Sequence, residues 1–280
     1  MEIFNYGFMQ RAFIVGLLLA AVIPCIGMVI VCKRLSMIGD ALSHTSLAGV
    51  AAGLILGMNP VAAAVSFGER TRVAAPAIAC VIASLGIELI RRKMPRYSEI
   101  SIAVIMSAGV GLAGVLSGFV KNAANFNSFL FGSIVAISDS ELYLVVGVSA
   151  VALAMFLLMY KELFYISLDE QSARLAGVPV GRVNFLFTIL IAVTVSVAAR
   201  TVGALIVSSM MVVPVACAMQ FGTNYRQTVL LAVMFNVQFM MAGLFAAYYL
   251  GLKPGGAIVL TGVAFLILIF AGKKLLRIRG

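Results

Sequence analysis

The sequence predicts an all-α polytopic membrane protein: about nine transmembrane helices forming a single domain over residues 1–280. Three observations carry that prediction. Hydrophobic residues make up 63% of the chain and charged residues only 11%, too little polar surface for a soluble protein of this size. Apolar runs near the roughly 20 residues that cross a bilayer recur from one end to the other. The 20 Lys and Arg fall in short clusters between those runs. Mean hydropathy is +1.13.

Each element follows in order. The first run, 9–31, starts after Glu2 and ends in Lys33-Arg34 without a small-residue cleavage site, so it is expected to be a span and not a cleaved leader. Further spans are expected at 36–57, 73–90, 100–120, 140–160, 183–199, 203–220, 228–250 and 256–272. The stretch 183–220 has 38 residues, too many for one crossing, and Arg200-Thr201-Val202-Gly203 supplies a charge and a glycine for a turn. Ser66-Phe67-Gly68-Glu69-Arg70-Thr71-Arg72 interrupts the path between spans two and three and reads as an outer loop or short re-entrant turn. In 121–139, Phe126-Asn127-Ser128-Phe129-Leu130-Phe131-Gly132 reads as a short re-entrant or interfacial helix. The longest polar stretch runs from Lys161 to Arg182. Its centre, 168–177, reads as a short amphipathic helix, with Asp169 and Glu170 at its start and Gly177 and Pro179 at its end. Pro24 and Pro214 lie inside spans, where each removes a backbone hydrogen bond.

Orientation follows from the basic residues. With Lys273, Lys274, Arg277 and Arg279 in the cytoplasm and the spans alternating backwards, 14 of the 20 Lys and Arg fall inside. These include Lys33-Arg34, Arg91-Arg92-Lys93 with Arg96, Lys161, Arg174, Arg182 and Arg226. Arg11, Arg70, Arg72, Lys121, Arg200 and Lys253 remain outside. The bias predicts an outside N-terminus and a cytoplasmic C-terminus.

The net charge of +10 is accounted for by these loops, and no basic stripe with interleaved aromatics points to nucleic acid. Cys25, Cys32, Cys80 and Cys217 lie in or beside apolar runs without CxxC spacing, as reduced packing residues do. Glu88 precedes Arg91 and Arg92 and reads as a surface ion pair. Gly49-x3-Gly53-x3-Gly57 in span two and Gly114-x3-Gly118 in span four are small-residue faces that let helices approach closely. No GxxxxGK[ST], HExxH or Ser-His-Asp arrangement is present, so the chain is not expected to be an enzyme on its own.

Chemistry concentrates at Gly39-Asp40-Ala41-Leu42-Ser43-His44. The chain's single histidine stands one helical turn after Asp40, so carboxylate and imidazole share a face. Such a pair can hold one divalent cation, and ionisable groups at membrane depth are functional candidates by default. The plainer alternatives are an Asp40–His44 pair or a helix cap. Two ligands are fewer than these ions usually take, which suits an ion in transit, with waters, Ser43 or a neighbouring helix completing the shell. Only neutral imidazole binds metal, so acid is expected to weaken transport.

The residues from Lys33 to Val50, Lys-Arg-Leu-Ser-Met-Ile-Gly-Asp-Ala-Leu-Ser-His-Thr-Ser-Leu-Ala-Gly-Val, resemble the signature of membrane permease subunits of bacterial zinc and manganese ATP-binding-cassette importers. The resemblance continues through Phe131-Gly132-Ser133-Ile134, Leu168-Asp169-Glu170, Ala176-Gly177-Val178-Pro179 and Val202-Gly203-Ala204-Leu205-Ile206-Val207 to Pro214. It implies a homodimeric permease similar in fold to cobalamin and siderophore importer permeases. Two cytoplasmic ATPase subunits would drive it, and an extracytoplasmic metal-binding protein would deliver Zn²⁺ or Mn²⁺, with Fe²⁺ acceptable to the same ligands. No permanently bound cofactor is implied. Asp40 and His44 match the family's DxxxH and would contact the ion. Asp169, Glu170, Arg174 and Gly177 match the segment that docks into the ATPase. Such permeases enter the next span directly after Asn59-Pro60, so the 66–72 interruption is a departure. From the residues alone, a cation/proton exchanger with Asp40 as proton carrier remains the alternative.

Overall fold

The computed structural model describes residues 7–57, 68–94, 97–119, 137 and 139–278. Lipid offers a backbone no hydrogen-bond partners, so apolar stretches of this length satisfy themselves as helices. Eleven helices occur among the described residues: α1 (Gly7–Cys32), α2 (Ile38–Gly57), α3 (Gly68–Lys93), α4 (Ser98–Ser117), α5 (Asp139–Leu158), α6 (Tyr160–Leu168), α7 (Glu170–Leu175), α8 (Val180–Thr201), α9 (Ala204–Ala218), α10 (Tyr225–Leu250) and α11 (Pro254–Ile278).

Each of the nine expected spans falls on one of these helices, but the count of nine crossings does not follow. Seven helices among the described residues are long and apolar enough to cross a membrane. The other two expected spans fall on α3 and α9. α3 carries Glu88 and ends in Arg91, Arg92 and Lys93. α9 has 15 residues, about 22 Å at helical rise against a hydrocarbon core of about 30 Å. The turn between α8 and α9 does fall at Arg200–Gly203, with Gly203 at φ 111°.

The helices group into two compact units, each assembled from separated stretches. One contains α1, most of α5, the greater part of α9, α10 and α11. Here α10 packs between α1 and α11, and Arg11 of α1 pairs with Asp139 of α5 at 2.8 Å. Near the cytoplasmic ends expected from the charge pattern, Lys273 of α11 donates to the Gln220 carbonyl at 2.5 Å and lies over the Phe221 ring, tying down the end of α9.

The other unit contains α2, α3, α4, α6, α7 and α8. α2 packs against α3 and α4, and α8 against α3. At Gly49, α2 packs tightly against α3. A Cβ there would stand 2.7 Å from the Ala75 carbonyl oxygen and 2.7 Å from the Ala79 Cβ.

Two sequence expectations need correction, and one lies outside the described residues. The interruption at 66–72 is not an outer loop or re-entrant turn from Gly68 onward, because α3 already begins there; charged residues are tolerated in a helix turn that extends past the apolar core. The helix expected at 126–132 lies outside the described residues, as do Ser66 and Phe67. Glu88 is not a surface partner. It is 7% exposed and bridges two arginines, Arg91 at 2.8 Å and Arg92 at 3.0 Å. Arg92 also donates to the Gly181 carbonyl of α8 at 3.4 Å. Removing the carboxylate strands the partly buried Arg91, so Glu88→Ala is expected to destabilise the protein by about 2–3 kcal/mol. That is below the roughly 3–5 kcal/mol of fully buried pairs, because Arg92 stays half in water. Thermal unfolding of the detergent-solubilised protein reads this directly; an unchanged midpoint rules out a structural role for the pair.

Candidate functional site

α1 ends in a left-handed turn that aims the chain into α2. The Arg34 amide donates to the Val31 carbonyl and the Leu35 amide to that of Ile30, the two closing bonds of a Schellman motif. Arg34 occupies the position usually given to glycine, with φ 58°, and Leu35 is buried beyond it. α2 then starts at Ile38, which puts Asp40 in its first turn. The positive end of the helix dipole therefore lies beside the carboxylate.

Asp40 and His44 are both half-buried. Being one turn apart in a continuous helix, they share a face, as their spacing predicts. Among the described residues, neither side chain has a hydrogen-bond or ion-pair partner, and no ion pair joins the two. The plainer reading, a mutual pair, is thus not what this geometry contains. Among the described residues no third His, Cys, Asp or Glu joins them in a group able to hold a metal. A carboxylate oxygen and an imidazole nitrogen are ligands acceptable to Mn²⁺, Fe²⁺ or Zn²⁺, and the rest of an ion's shell would come from elsewhere.

Other faces of α2 are occupied by packing. The Cys80 thiol of α3 donates to the Leu42 carbonyl at 3.3 Å. On the α4 side, Thr45 lies against Gly109, where an added Cβ would be 2.8 Å from the Thr45 hydroxyl oxygen. Gly49 and Gly53 are buried, with Gly49 against α3 and Gly57 closing the helix. Nine residues separate Asp40 from Gly49, about 180° around a helix. The packed face and the Asp40 face are therefore opposed. Two buried hydroxyls, Ser43 and Ser46, have no hydrogen-bond partner among the described residues. Ser43 directly precedes His44. Sequence reasoning named Ser43 only in passing, read Cys80 as a packing residue, as it is here, and gave Ser46 no role, because serine spacing says nothing about burial.

The second predicted feature lies at α6 and α7. Asp169 caps α7: its carboxylate accepts from the amides of Gln171 at 3.0 Å and Ser172 at 3.1 Å, and from the Ser172 hydroxyl. Glu170 pairs with Arg174 across one turn at 3.0 Å. Gly177 ends the segment at φ 83°. The preceding helix α6, buried through Leu163 and Ile166, was not expected from sequence. Leu168, which ends α6, and Leu175, the last residue of α7, stand exposed, and Ala173 faces inward.

The hydrogen bonds from Ser172 and Gln171 hold the Asp169 carboxyl below the usual carboxylate range. A depressed folded value stabilises the cap above the ordinary carboxylate pKa. That contribution is lost as pH falls through the folded value. The expected result is that the protection factors of the Gln171 and Ser172 amides, taken against intrinsic exchange at each pH, fall on acidification below the usual carboxylate range, while amides in mid-α8 stay protected. In Asp169→Ala, those protection factors should be low at every pH.

Residues 5–273 match the model of the ABC 3 transport family. The chain is 32% identical over 269 residues to a Treponema pallidum protein described as a probable metal transport system membrane protein, covering 95% of this chain and 96% of that one. It is 30% identical over 273 residues to the manganese transport system membrane protein MntC of Listeria innocua, covering 96% and 93%. The structure of PsaBC from Streptococcus pneumoniae in complex with Fab superposes with a TM-score of 0.81 at 26% identity, over 96% of this chain and 93% of that one. With a match running through both helix units and through α2 and α7 alike, the chain is a multi-pass membrane protein belonging to the ABC 3 transport family.

Proposed function

We propose that this chain is the membrane permease of a bacterial importer of divalent transition metal, with manganese the foremost substrate. A separate cytoplasmic ATPase would drive it by alternating access, and an extracytoplasmic metal-binding protein would supply the ion. Two permease chains would enclose the pathway, which brings two copies of Asp40 and His44 to one ion and mends the shortage of ligands in one chain. The N-terminus would lie outside and the C-terminus in the cytoplasm, in keeping with the distribution of Lys and Arg.

The observation that carries this reading is the half-buried pair of Asp40 and His44, without a partner among the described residues, in a membrane helix of a chain whose relatives are named for manganese and metal transport. An unpaired carboxylate and imidazole at membrane depth are costly, and a passing dication is the partner that suits both. The exposed Leu168 before the capped, charged α7 and Leu175 at its end would supply an apolar and ionic surface for an ATPase groove. Manganese is favoured over zinc by the name of the Listeria relative; the two ligands themselves accept either ion.

The test is uptake of radiolabelled manganese, zinc and iron by proteoliposomes holding permease, ATPase and binding protein. ATP-dependent accumulation, with manganese preferred, is the expected result. Accumulation driven by a proton gradient without ATP would replace this reading with the exchanger.

A further inference from the structure

We propose that the proline break in α9 holds an ordered water molecule, bound between the main-chain carbonyl of Met210 and the side-chain carbonyl of Asn236. The argument starts from Pro214, inside α9. Proline has no N–H, so the carbonyl four residues earlier, that of Met210, loses its helical partner. Asn236 of α10 is 1% exposed. Its amide nitrogen donates to the Ala20 carbonyl of α1 at 3.0 Å. Its Oδ1 is buried and has no partner among the described residues.

Both residues border one cavity. Ser209, Met210, Pro214, Asn236 and Phe239 are among its lining residues, and it has about 10 Å³ of room for a water molecule, near the minimum that holds one. Two acceptors without a donor between them, each costly to leave unsatisfied away from bulk water, match a molecule that brings two O–H donors. A metal ion is a poor fit, since two neutral carbonyls offer neither the charge nor the ligand number that a dication requires. The arrangement also explains an asparagine at this depth: one end of the amide ties α10 to α1, and the other serves the gap in α9. A break bridged by exchangeable water is satisfied without being rigid, which makes Pro214 the point where bending α9 costs least.

Two measurements test this on the intact permease in lipid nanodiscs. The first is hydroxyl-radical footprinting by mass spectrometry, in which water trapped beside a buried side chain labels it. Met210 and Met211 are equally buried, at 2% and 1% exposed, but only Met210 borders the cavity. Met210 is expected to be oxidised several-fold faster than Met211, and to fall to the Met211 level in Asn236→Leu. Equal labelling of the two methionines in the wild type overturns the proposal.

The second is a double-mutant cycle on the thermal midpoint. In Pro214→Ala the restored N–H reaches the Met210 carbonyl, so Asn236→Leu should lower the midpoint by clearly less there than in the wild type. The lost bond to Ala20 is common to both backgrounds and cancels. An equal drop in both shows that Asn236 serves α1 alone and sinks the water site.

Discussion

Asp40→Ala and His44→Ala are each expected to reduce ATP-dependent metal uptake by at least about tenfold, the lower end of what losing support for a bound metal costs. ATP hydrolysis by the assembled complex and the thermal midpoint should change little. The separation follows from the geometry. Neither side chain has a hydrogen-bond or ion-pair partner among the described residues, so truncation breaks no such link and leaves no opposite charge stranded. Both are half-buried, so the cavity cost of truncation is small. A fold-supporting pair would behave in the opposite way: the midpoint would fall and uptake would follow it. Asp40→Asn sharpens the test, because it keeps size and removes charge. If Asp40→Asn transports as well as the wild type, the carboxylate is not a ligand, and the proposed contact moves to His44 alone. If both alanine variants transport normally, the α2 pair is not on the pathway, whatever the family membership implies.

How much was legible beforehand depends on which force fixes each feature. The helices were readable because lipid leaves a backbone one solution, and the α8–α9 break was readable because Arg200 and Gly203 both suit the end of a span. The α7 segment was readable in outline from local chemistry: Asp169 and Glu170 were expected in the first turn of a helix over 168–177 ended by Gly177, whereas Leu168 closes α6 and Asp169 is the cap of α7. Glu88 shows the limit. Its spacing to Arg91 and Arg92 is three and four residues, identical in a solvated helix and a buried one. Only the packing of α3 against α8, with Arg92 reaching Gly181, tells the two apart. The start of α3 was misread because Glu69, Arg70 and Arg72 look like loop residues, although a helix can run on beyond its apolar core. Asp40 and His44 were legible as a pair by periodicity. Their lack of partners among the described residues, the fact that turns them into a site, was not.

The small-residue motifs make the same point and yield the second large prediction. Gly49 and Gly114 sit in identical Gly-x3-Gly patterns on apolar helices, yet the structure separates them. A Cβ on Gly49 would meet the Ala75 oxygen and Ala79 Cβ at 2.7 Å and the Pro76 Cα at 2.8 Å, two of them main-chain atoms that cannot swing aside. Among the described residues, a Cβ on Gly114 meets nothing within 4 Å. Gly49→Ala is therefore expected to push α2 off α3 and cost about 1–3 kcal/mol, the usual price of overpacking. Gly114→Ala should be neutral or gain a few tenths of a kcal/mol from helix propensity. Because Gly49 lies opposite Asp40 on α2, the same displacement turns the Asp40–His44 face, so Gly49→Ala should lower uptake as well as the thermal midpoint. Ala79→Gly, which removes one of the two closest obstacles, should restore part of both; it cannot restore all, since the Ala75 carbonyl remains. Three measurements decide the matter: the midpoint of each single variant, that of the Gly49→Ala/Ala79→Gly pair, and metal uptake for all of them. A tolerated Gly49→Ala would mean that α2 and α3 are not in contact at this level. A damaging Gly114→Ala would place a second chain, or a segment outside the described residues, against α4, where the described residues leave open space.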